Sequence, residues 1–372
     1  MKSRYKQRNH SDYLLSLVVF GLIVFGLIMI YSVSKYLSLQ ETSGESDKYY
    51  LGKQLISLVI GVFAWVVFQN IDYRFWQKRS GWMLLATLIM LLGVFLFGDT
   101  NSSGAQRWII IFGQRFQPSE FVKLSFIIYL SGWFAAKEDN LEKINKSFWF
   151  FLVIIGVISF FLLEQKDLGT LSIIVGISAV IYFAAGASLT RLGLAGVLGG
   201  LLFWLAVRKE PYRMQRIMAF VNPEAGNLTI SYHIRNALIA IGSGGFFGLG
   251  FGQSRQKYLY LPEAHTDSIF AIIAEELGFI GAAAIVIAFA IIAIRGFRIA
   301  KESNDVFGRL LATGITSWII FQAFVNIAAM LSLIPLTGVP LPFISFGGTN
   351  LIVVLAAVGI LQNISKNRQG FI

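Results

Sequence analysis

The stretch LPEAHTDSIFAIIAEELGFIG, Leu261–Gly281, decides the fold of this chain, because a polar segment passes there directly into a long apolar run. An ionised acid at the centre of a bilayer costs about 2.5–3.5 kcal/mol on insertion scales, so acids in membrane helices usually face a cavity, pair or function. The stretch predicts a membrane helix that begins at a polar site. Its ionisable residues are Glu263, His265, Asp267, Glu275 and Glu276.

The composition of the whole chain agrees with a membrane fold. Of the 372 residues, 56% are hydrophobic and 14% charged, whereas a soluble domain is about one quarter charged. The mean hydropathy is +0.67, and apolar runs of about 20 residues recur, the length that crosses a bilayer. These features exclude a soluble fold and predict an all-α, polytopic integral membrane protein.

Charge and cysteine content narrow further the kinds of site and partner that the protein can have. The chain has no cysteine, which excludes disulfides and thiolate metal sites. Its net charge is +11, but basic residues beside membrane spans set orientation and attract anionic lipids. Nothing in the chain resembles a nucleic-acid-binding module, so we expect membrane lipids and not nucleic acid as partners.

The apolar windows predict about ten transmembrane helices in one membrane domain, residues 12–363, flanked by tails 1–11 and 364–372. The loops on the same side of the membrane as the two tails carry more lysine and arginine than the short loops on the other side. Since cytoplasmic loops are enriched in these residues, both termini are predicted to be cytoplasmic. Residues 208–268, between spans seven and eight, then form a long external loop that we expect to pack partly onto the bundle. The predicted spans are 12–34, 51–70, 81–97, 118–136, 147–163, 168–186, 191–207, 269–294, 309–330 and 349–363.

Asp267 is the first candidate for chemistry, since it stands where the external segment becomes a helix. Thr266 or Asp267 can cap that helix by accepting from its free N–H groups. Alternatively, Asp267 is a general base at a water-accessible cavity, with a pKa set by burial and neighbouring charge. Glu275 and Glu276 lie about two turns deeper, as supporting acids or as partners of an internal lysine or arginine.

A second constellation is GAQRWIIIFGQRFQPSEFVKLS, residues 104–125. Glu120 and Lys123 are three positions apart on one helix face, so they can form a structural intramembrane ion pair. Arg107 and Arg115 precede that span on the external side. Their guanidinium groups either face solvent or bind an anion, for which arginine matches phosphate geometry well.

The external loop supplies further basic candidates. The stretch RKEPYRMQRIMAFVNPE starts at Arg208. Within it, Arg213 and Arg216 are three positions apart, and their side chains meet either lipid headgroups or a pyrophosphate. Lys257 and His265 complete the candidate substrate-binding residues. The stretch TGVPLPFISFGGTN, residues 337–350, breaks the helix between spans nine and ten, and such backbone must be buried in protein or line water. We expect it to wall the same cavity.

Several of these motifs together resemble the SEDS family of shape, elongation, division and sporulation proteins, over nearly the whole chain. They occur in the family's order and are RWI followed by QPSEFVKL, DLGT, AIGSGGFFGLGFGQS, LPEAHTDSIFAIIAEELGFIG and PLPFISFGGTN. PEAHTD and YRMQRIMAFVNPE resemble the division branch more than the elongation branch. The resemblance implies that Asp267 is the catalytic base, Arg107 and Arg115 are functional cations, and Glu120 and Lys123 form the embedded pair.

The resemblance also implies an activity. Members of the family are bacterial cytoplasmic (inner) membrane proteins that polymerise lipid II into glycan strands at the external face, with a class B penicillin-binding protein as partner. A divalent cation, Mg²⁺ or Mn²⁺, is expected to assist the departure of undecaprenyl pyrophosphate, and no organic cofactor is expected. Two alternatives remain open: a lipid II flippase without bond-forming activity, and a scaffold that only holds the division synthase.

Overall fold

The computed structural model describes residues 11–100, 106–111, 114–137, 148–222 and 228–367, so most of both predicted tails lies outside the described residues. Over these ranges the chain is mainly helical, as predicted. The helices are α1 Tyr13–Glu41, α2 Tyr49–Asn70, α3 Arg74–Phe97, α4 Pro118–Ala135, α5 Phe148–Glu164, α6 Leu168–Ala184, α7 Leu189–Lys209, α8 Pro211–Val221, α9 Leu228–Gly244, α10 Ile269–Lys301, α11 Val306–Met330 and α12 Gly348–Lys366.

Every predicted span coincides with a helix. Among the described residues, seven helices are long and apolar enough to cross a membrane, namely α1, α2, α3, α7, α10, α11 and α12. Helices α5 and α6 are apolar but shorter, and α4 carries Glu120 and Lys123 within its first two turns. The number of ten spans and their orientation therefore stay predictions.

A small antiparallel sheet is the one departure from all-α structure within the described ranges. Its strands are β1 Asp99–Thr100, β2 Gln106–Ile111 and β3 Gln114–Phe116, in the order β1-β2-β3. Strand β2 pairs with β3 through Ile110 opposite Arg115. The sheet lies between α3 and α4 in the chain and carries Arg107 to the start of α4.

The predicted external loop, 208–268, is largely structured. It holds the end of α7, all of α8 and α9, and an irregular segment that leads to α10. Ala219, Ala237 and Leu261 from these parts are buried in the same hydrophobic core as the bundle. The loop therefore packs back onto the bundle, as the apolar residues within it predict.

The glycine-rich part of this loop fits a kink in α10. Gly278 has φ 65° and ψ −162°, which interrupts the helix and leaves carbonyl groups of the preceding turn without their usual helical partners. Leu249 and Gly250 donate their N–H groups to the carbonyls of Glu275 and Glu276, each at 3.0 Å. This pairing satisfies backbone groups that would otherwise be buried and unbonded.

Helix α12 lies at the centre of the bundle, with 89% of its 18-residue apolar stretch buried. It packs against α2 at Gly359, where an added Cβ would stand 2.6 Å from the carbonyl oxygen of Trp65. Such a close approach needs a glycine, because any larger side chain would overlap the neighbouring backbone. At the other end of α12, Thr349 Oγ1 accepts from the N–H of Gln117 at 3.1 Å, and the N–H of Phe346 donates to the carbonyl of His265 at 2.9 Å. These bonds place the start of α12 beside the starts of α4 and α10.

Candidate active site

A polar cavity of about 300 Å³ opens where four helices begin. Its walls include residues at the starts of α4, α6 and α12, and the segment that leads into α10. These starts all lie on the side that the lysine and arginine distribution predicts to be external. The lining residues are Arg107, Trp108, Gln117, Glu120, Asp167, Thr170, Arg216, Glu263, Thr266, Asp267, Gly338, Val339, Pro340, Phe346, Gly347, Thr349 and Asn350.

Asp267 lines this cavity and does not cap α10. The residue at the cap position is Ser268, whose side chain makes no capping hydrogen bond. The Asp267 carboxylate is half-buried, and its Oδ1 accepts from the Thr266 hydroxyl at 3.3 Å. Its main-chain carbonyl accepts from Asn326 Nδ2 at 2.7 Å. The capping alternative is therefore wrong for both Asp267 and Thr266.

The pKa of Asp267 is raised to about 7, first by burial and then by the negative charge of Glu263. A hydrogen bond from the backbone N–H of Asp267 itself, the Thr266 hydroxyl and the more distant charge of Arg216 act in the opposite direction. Burial disfavours the ionised form because the charge loses its hydration, and a nearby like charge adds to that effect. A carboxylate with a pKa near neutral is well matched to general-base catalysis at neutral pH.

Glu263 is the second acid at this wall of the cavity, and sequence reasoning did not single it out as a site residue. Its side chain is exposed, and its Oε2 lies 2.8 Å from the Thr266 hydroxyl oxygen. Its backbone has φ 49°, a left-handed conformation that turns the chain just before Asp267. The signal available from sequence was its position four residues before Asp267.

Arg107 and Arg216 are the predicted cations that line the cavity. Arg107, on β2, donates from Nε to the carbonyl of Gln165 at 3.1 Å and from Nη2 to the carbonyl of Lys166. Arg216, on α8, donates from Nη1 to the carbonyl of Leu336 at 2.8 Å. Backbone carbonyl groups thus hold both guanidinium groups at the rim of the cavity. These carbonyls come from parts of the chain that are distant in sequence.

The structure does not bring Arg115 and Arg213 into the lining. Arg115 is exposed on β3. Arg213 is buried, and it donates to the carbonyls of Ala206 at 2.8 Å and Leu163 at 2.7 Å. Arg213 therefore ties α8 to the ends of α7 and α5, and its neighbour one turn later, Arg216, faces the cavity instead.

Lys257 and His265 also lie outside the lining. Lys257 is buried and pairs with Glu276 through an Nζ–Oε1 contact of 2.9 Å. His265 packs against Tyr50 with the rings tilted by 53° and their centroids 4.5 Å apart, and its ring lies 5.4 Å from that of Phe346. Of these aromatic residues, Phe346 reaches the cavity wall, so His265 contacts the site through it.

Glu275 and Glu276 bind the loop that precedes α10. Glu276 accepts from Lys257 and from the N–H of Gly252 at 3.0 Å. Glu275 accepts from the Ser254 hydroxyl and from the N–H of Arg255 at 3.0 Å. Both acids are buried. Of the two, Glu276 pairs with an internal lysine, Lys257, which is one of the two roles that the sequence left open for these acids.

Glu120 and Lys123 form the ion pair that their spacing predicts, with Nζ and Oε2 2.8 Å apart. Their exposed fractions are 2% and 1%. Glu120 Oε2 also accepts from Asn350 Nδ2 at 2.6 Å, and Lys123 donates to Gln322 at 2.9 Å. The pair thus links α4 to α11 and α12, and Glu120 reaches the cavity wall.

Asp167 is a lining residue that sequence reasoning quoted within DLGT without assigning it a role. It caps α6 by accepting from the N–H of Thr170 at 3.1 Å. Its other oxygen accepts from Ser119 Oγ at 3.2 Å and from Gln117 at 3.3 Å. An aspartate directly before an apolar helix is the signal that could have found it.

The part of the chain that the structure describes shows no evident metal site made of protein ligands alone. Among the described residues, no group of three or more histidine, cysteine, aspartate or glutamate side chains is arranged to hold a metal ion. A divalent cation at this cavity would need most of its ligands from a substrate, as Mg²⁺ often takes from phosphate groups.

Comparisons with known proteins agree with this fold. The chain is 38% identical over 355 residues to the probable peptidoglycan glycosyltransferase FtsW of Trichlorobacter lovleyi, covering 95% of this chain and 93% of that protein. It is 37% identical to stage V sporulation protein E of Bacillus subtilis, covering 97% and 98%. A chain from a peptidoglycan synthase complex shares the fold, with a TM-score of 0.79, 23% identity and coverage of 96% and 98%.

The family model described as cell cycle protein, for FtsW, RodA and SpoVE, matches residues 12–370. That range contains every residue that lines the polar cavity and every helix described above. This chain belongs to the FtsW, RodA and SpoVE family.

Proposed function

We propose that this protein is a peptidoglycan glycosyltransferase that polymerises lipid II into glycan strands at the external face of the bacterial cytoplasmic membrane. The relatives named as probable peptidoglycan glycosyltransferases support the activity. The observation that carries the proposal is the Asp267 carboxylate, with a pKa near 7, in a cavity that it shares with Arg107 and Arg216.

The reaction joins two lipid-linked sugars. The 4-hydroxyl of the acceptor's GlcNAc attacks the anomeric carbon of the donor's MurNAc, and Asp267 takes the hydroxyl proton as the new C–O bond forms. The bond between the anomeric carbon and the diphosphate oxygen breaks, and undecaprenyl pyrophosphate leaves with that electron pair. A positioned general base typically contributes about 10²–10⁴-fold in rate.

Two arginines in the cavity lining suit the departing diphosphate. Arg107 and Arg216 are held at the rim by backbone carbonyls, and arginine presents donors in a geometry that matches phosphate oxygens. The starts of α4, α6 and α12 add the partial positive charge of helix N-termini. Stabilisation of charge that develops in the transition state is usually the largest contribution to catalysis.

A divalent cation is part of the proposal. It would be held chiefly by the diphosphate oxygens of the substrate, because the described residues present no three-ligand group of their own. When bound, it would supply additional positive charge to the leaving group. Removal of divalent cations with a chelator, followed by their return, tests this requirement.

The proposed partner is a class B penicillin-binding protein, the transpeptidase that would crosslink the strands. A chain of the same fold occurs in a peptidoglycan synthase complex, which supports a partner of this kind. The nascent glycan strand leaves from the external face, and the flanking lipids are those of the cytoplasmic membrane. The FtsW names among the relatives favour the division branch of the family over the elongation branch.

The flippase alternative has less support. The FtsW relatives carry the name of the bond-forming activity, peptidoglycan glycosyltransferase. In many transporters the substrate lies near the middle of the membrane between repeated halves, whereas Asp267 stands before the first turn of α10. A cavity at one end of the bundle suits a reaction between two lipids held in the same leaflet.

The decisive experiment is glycan-ladder formation from lipid II by purified wild type and Asp267→Asn, each with its cognate penicillin-binding protein. We expect Asp267→Asn to lose at least about 10²-fold in rate. Asp72→Asn, the same substitution at an exposed position before α3, serves as the control and retains activity. Near wild-type polymerisation by Asp267→Asn refutes the assignment, and lipid translocation without polymer would favour the flippase.

A further inference from the structure

A single amide side chain bridges two walls of the polar cavity. Asn326, on α11, donates from Nδ2 to the main-chain carbonyl of Asp267 at 2.7 Å and to that of Val339 at 2.8 Å. Asp267 and Val339 both line the cavity, but they lie on segments on either side of Asn326 in the chain. The side chain of Asn326 is 1% exposed.

The chemistry of these contacts requires an amide. The NH₂ group has two hydrogens, and the two carbonyl oxygens accept both of them. The opposite orientation would place Asn326 Oδ1 against two carbonyl oxygens, so the hydrogen-bond network fixes the orientation. No other residue of the same size offers two N–H donors from one atom.

The two walls that Asn326 joins face each other across the Asp267 carboxylate. A Cβ built on Gly338, the residue before Val339, would stand 3.7 Å from Asp267 Oδ2. Gln322, one turn earlier on α11, donates to the carbonyl of Pro340 at 3.0 Å. Two successive carbonyls of this wall are therefore held by one face of α11, and Asn326 alone of the two amides also reaches the Asp267 backbone.

We propose that Asn326 is the positioning residue for Asp267, which sets the location of the carboxylate in the cavity by tying its backbone to the opposing wall. This inference rests on the proposed function, since it assigns Asn326 a part in placing the base. Asn326 acts through the backbone of Asp267 and touches no substrate. A misplacement of about 1 Å in a catalytic group can cost about 10²-fold in rate.

The test compares two asparagines with similar surroundings. Asn326→Leu keeps the approximate side-chain volume and removes both donors. Asn363→Leu is the matched control, because Asn363 is buried and donates from Nδ2 to the carbonyl of Gln69 at 2.9 Å. Asn363 lies 13 residues after the lining residue Asn350 on α12, about 20 Å away at 1.5 Å per residue.

Each variant is purified and assayed for kcat, KM and the pH dependence of polymerisation. For Asn326→Leu we expect kcat to fall about 10- to 100-fold with a KM change below about threefold. We also expect the acidic limb of the pH profile to move to lower pH, because the released wall admits water to the carboxylate. Asn363→Leu keeps the wild-type pH profile.

Wild-type kcat in Asn326→Leu overturns the inference, as does a loss of activity that only follows the folded fraction with an unmoved acidic limb. If Asn326→Leu does not fold, Asn326→Ser, which keeps one donor, takes its place with the same criteria. Asp267→Asn is run beside them. An active Asp267→Asn defeats the proposed function itself, whereas an inactive Asp267→Asn beside a fully active Asn326→Leu defeats only the role of Asn326.

Discussion

Glu263 offers a direct way to change the basicity of Asp267. The Thr266 hydroxyl oxygen lies 2.8 Å from Glu263 Oε2 and 3.3 Å from Asp267 Oδ1, so the nearest carboxylate oxygens are at most about 6 Å apart. At that distance two unit charges repel by about 0.7 kcal/mol in water and about 2.8 kcal/mol at an effective dielectric constant of about 20. Replacing Glu263 by glutamine removes this repulsion while keeping the shape of the side chain.

The expected shift has a definite sign and size. The Glu263 charge raises the pKa of Asp267, so Glu263→Gln lowers it. Glu263 is exposed and screened by solvent, which favours the lower energy and a fall of about 0.5–1 pKa unit. Since a general base works in its ionised form, the relative kcat/KM at pH 6 rises about three- to fivefold, normalised to the plateau.

Two measurements check this expectation. The pH dependence of kcat/KM gives the pKa of the free enzyme's base. Labelling by a hydrophobic carbodiimide, which reacts with protonated carboxyl groups, reports the same titration without turnover when the peptide containing Asp267 is quantified by mass spectrometry. Glu45→Gln, an exposed glutamate before α2, makes the same charge change away from the cavity lining.

If Glu263→Gln leaves the midpoints of the kcat/KM profile and of the labelling curve unmoved, or raises them, then the Glu263 charge does not raise the pKa of Asp267. The same conclusion follows if Glu45→Gln shifts them equally, because the effect would then belong to the overall surface charge. A shift in labelling without a shift in kcat/KM would show that Asp267 titrates as described but is not the base that limits the reaction.

Two further substitutions test the surroundings of the base. Gly338→Ala places a methyl group 3.7 Å from Asp267 Oδ2 at a residue with φ 69°, where an L-residue costs about 1–2 kcal/mol. We expect a lower kcat, and Gly44→Ala, at φ 93° with open space around the added Cβ, is the control for backbone strain alone. Lys123→Met leaves Glu120 buried without its cation and is expected to destabilise the protein by about 3–5 kcal/mol, measured by thermal unfolding in detergent. The double variant Glu120→Gln, Lys123→Met should recover much of that stability, and failure to recover it would mean that the pair is not the cause.

The membrane helices were predictable because length and hydropathy decide them locally. The apolar run after Asp267 corresponds to α10, and the spacing of Glu120 and Lys123 predicts their contact because residues three apart on a helix are neighbours. Helix α3 begins at Arg74, several residues before the predicted span, since its first turns carry charges that hydropathy does not count as membrane. Local information was sufficient for these features.

The roles of the basic residues were less predictable, because their partners are distant in the chain. Arg213 and Arg216 look equivalent in sequence, yet Arg213 donates to Leu163, 50 positions away, and Arg216 to Leu336, 120 positions away. Lys257 was a candidate for substrate binding, but the kink at Gly278 and the folded loop bring it to Glu276. Only the tertiary fold decides which cation is used for structure and which faces the cavity.

The position of Asp267 relative to α10 explains how a carboxylate stays basic among helix N-termini. Asp305, the cap of α11, is a contrast within the same chain: burial alone would raise its pKa, but donors that include Tyr73 and the N–H of Gly308 outweigh that effect and lower it. Asp267 precedes Ser268, which occupies the cap position, so its carboxylate does not take up the free N–H groups of the first turn. The effects of burial and of the Glu263 charge on Asp267 are therefore not outweighed by helix N–H donors, and its pKa is near 7, while nearby helix starts and arginines remain able to attract a diphosphate.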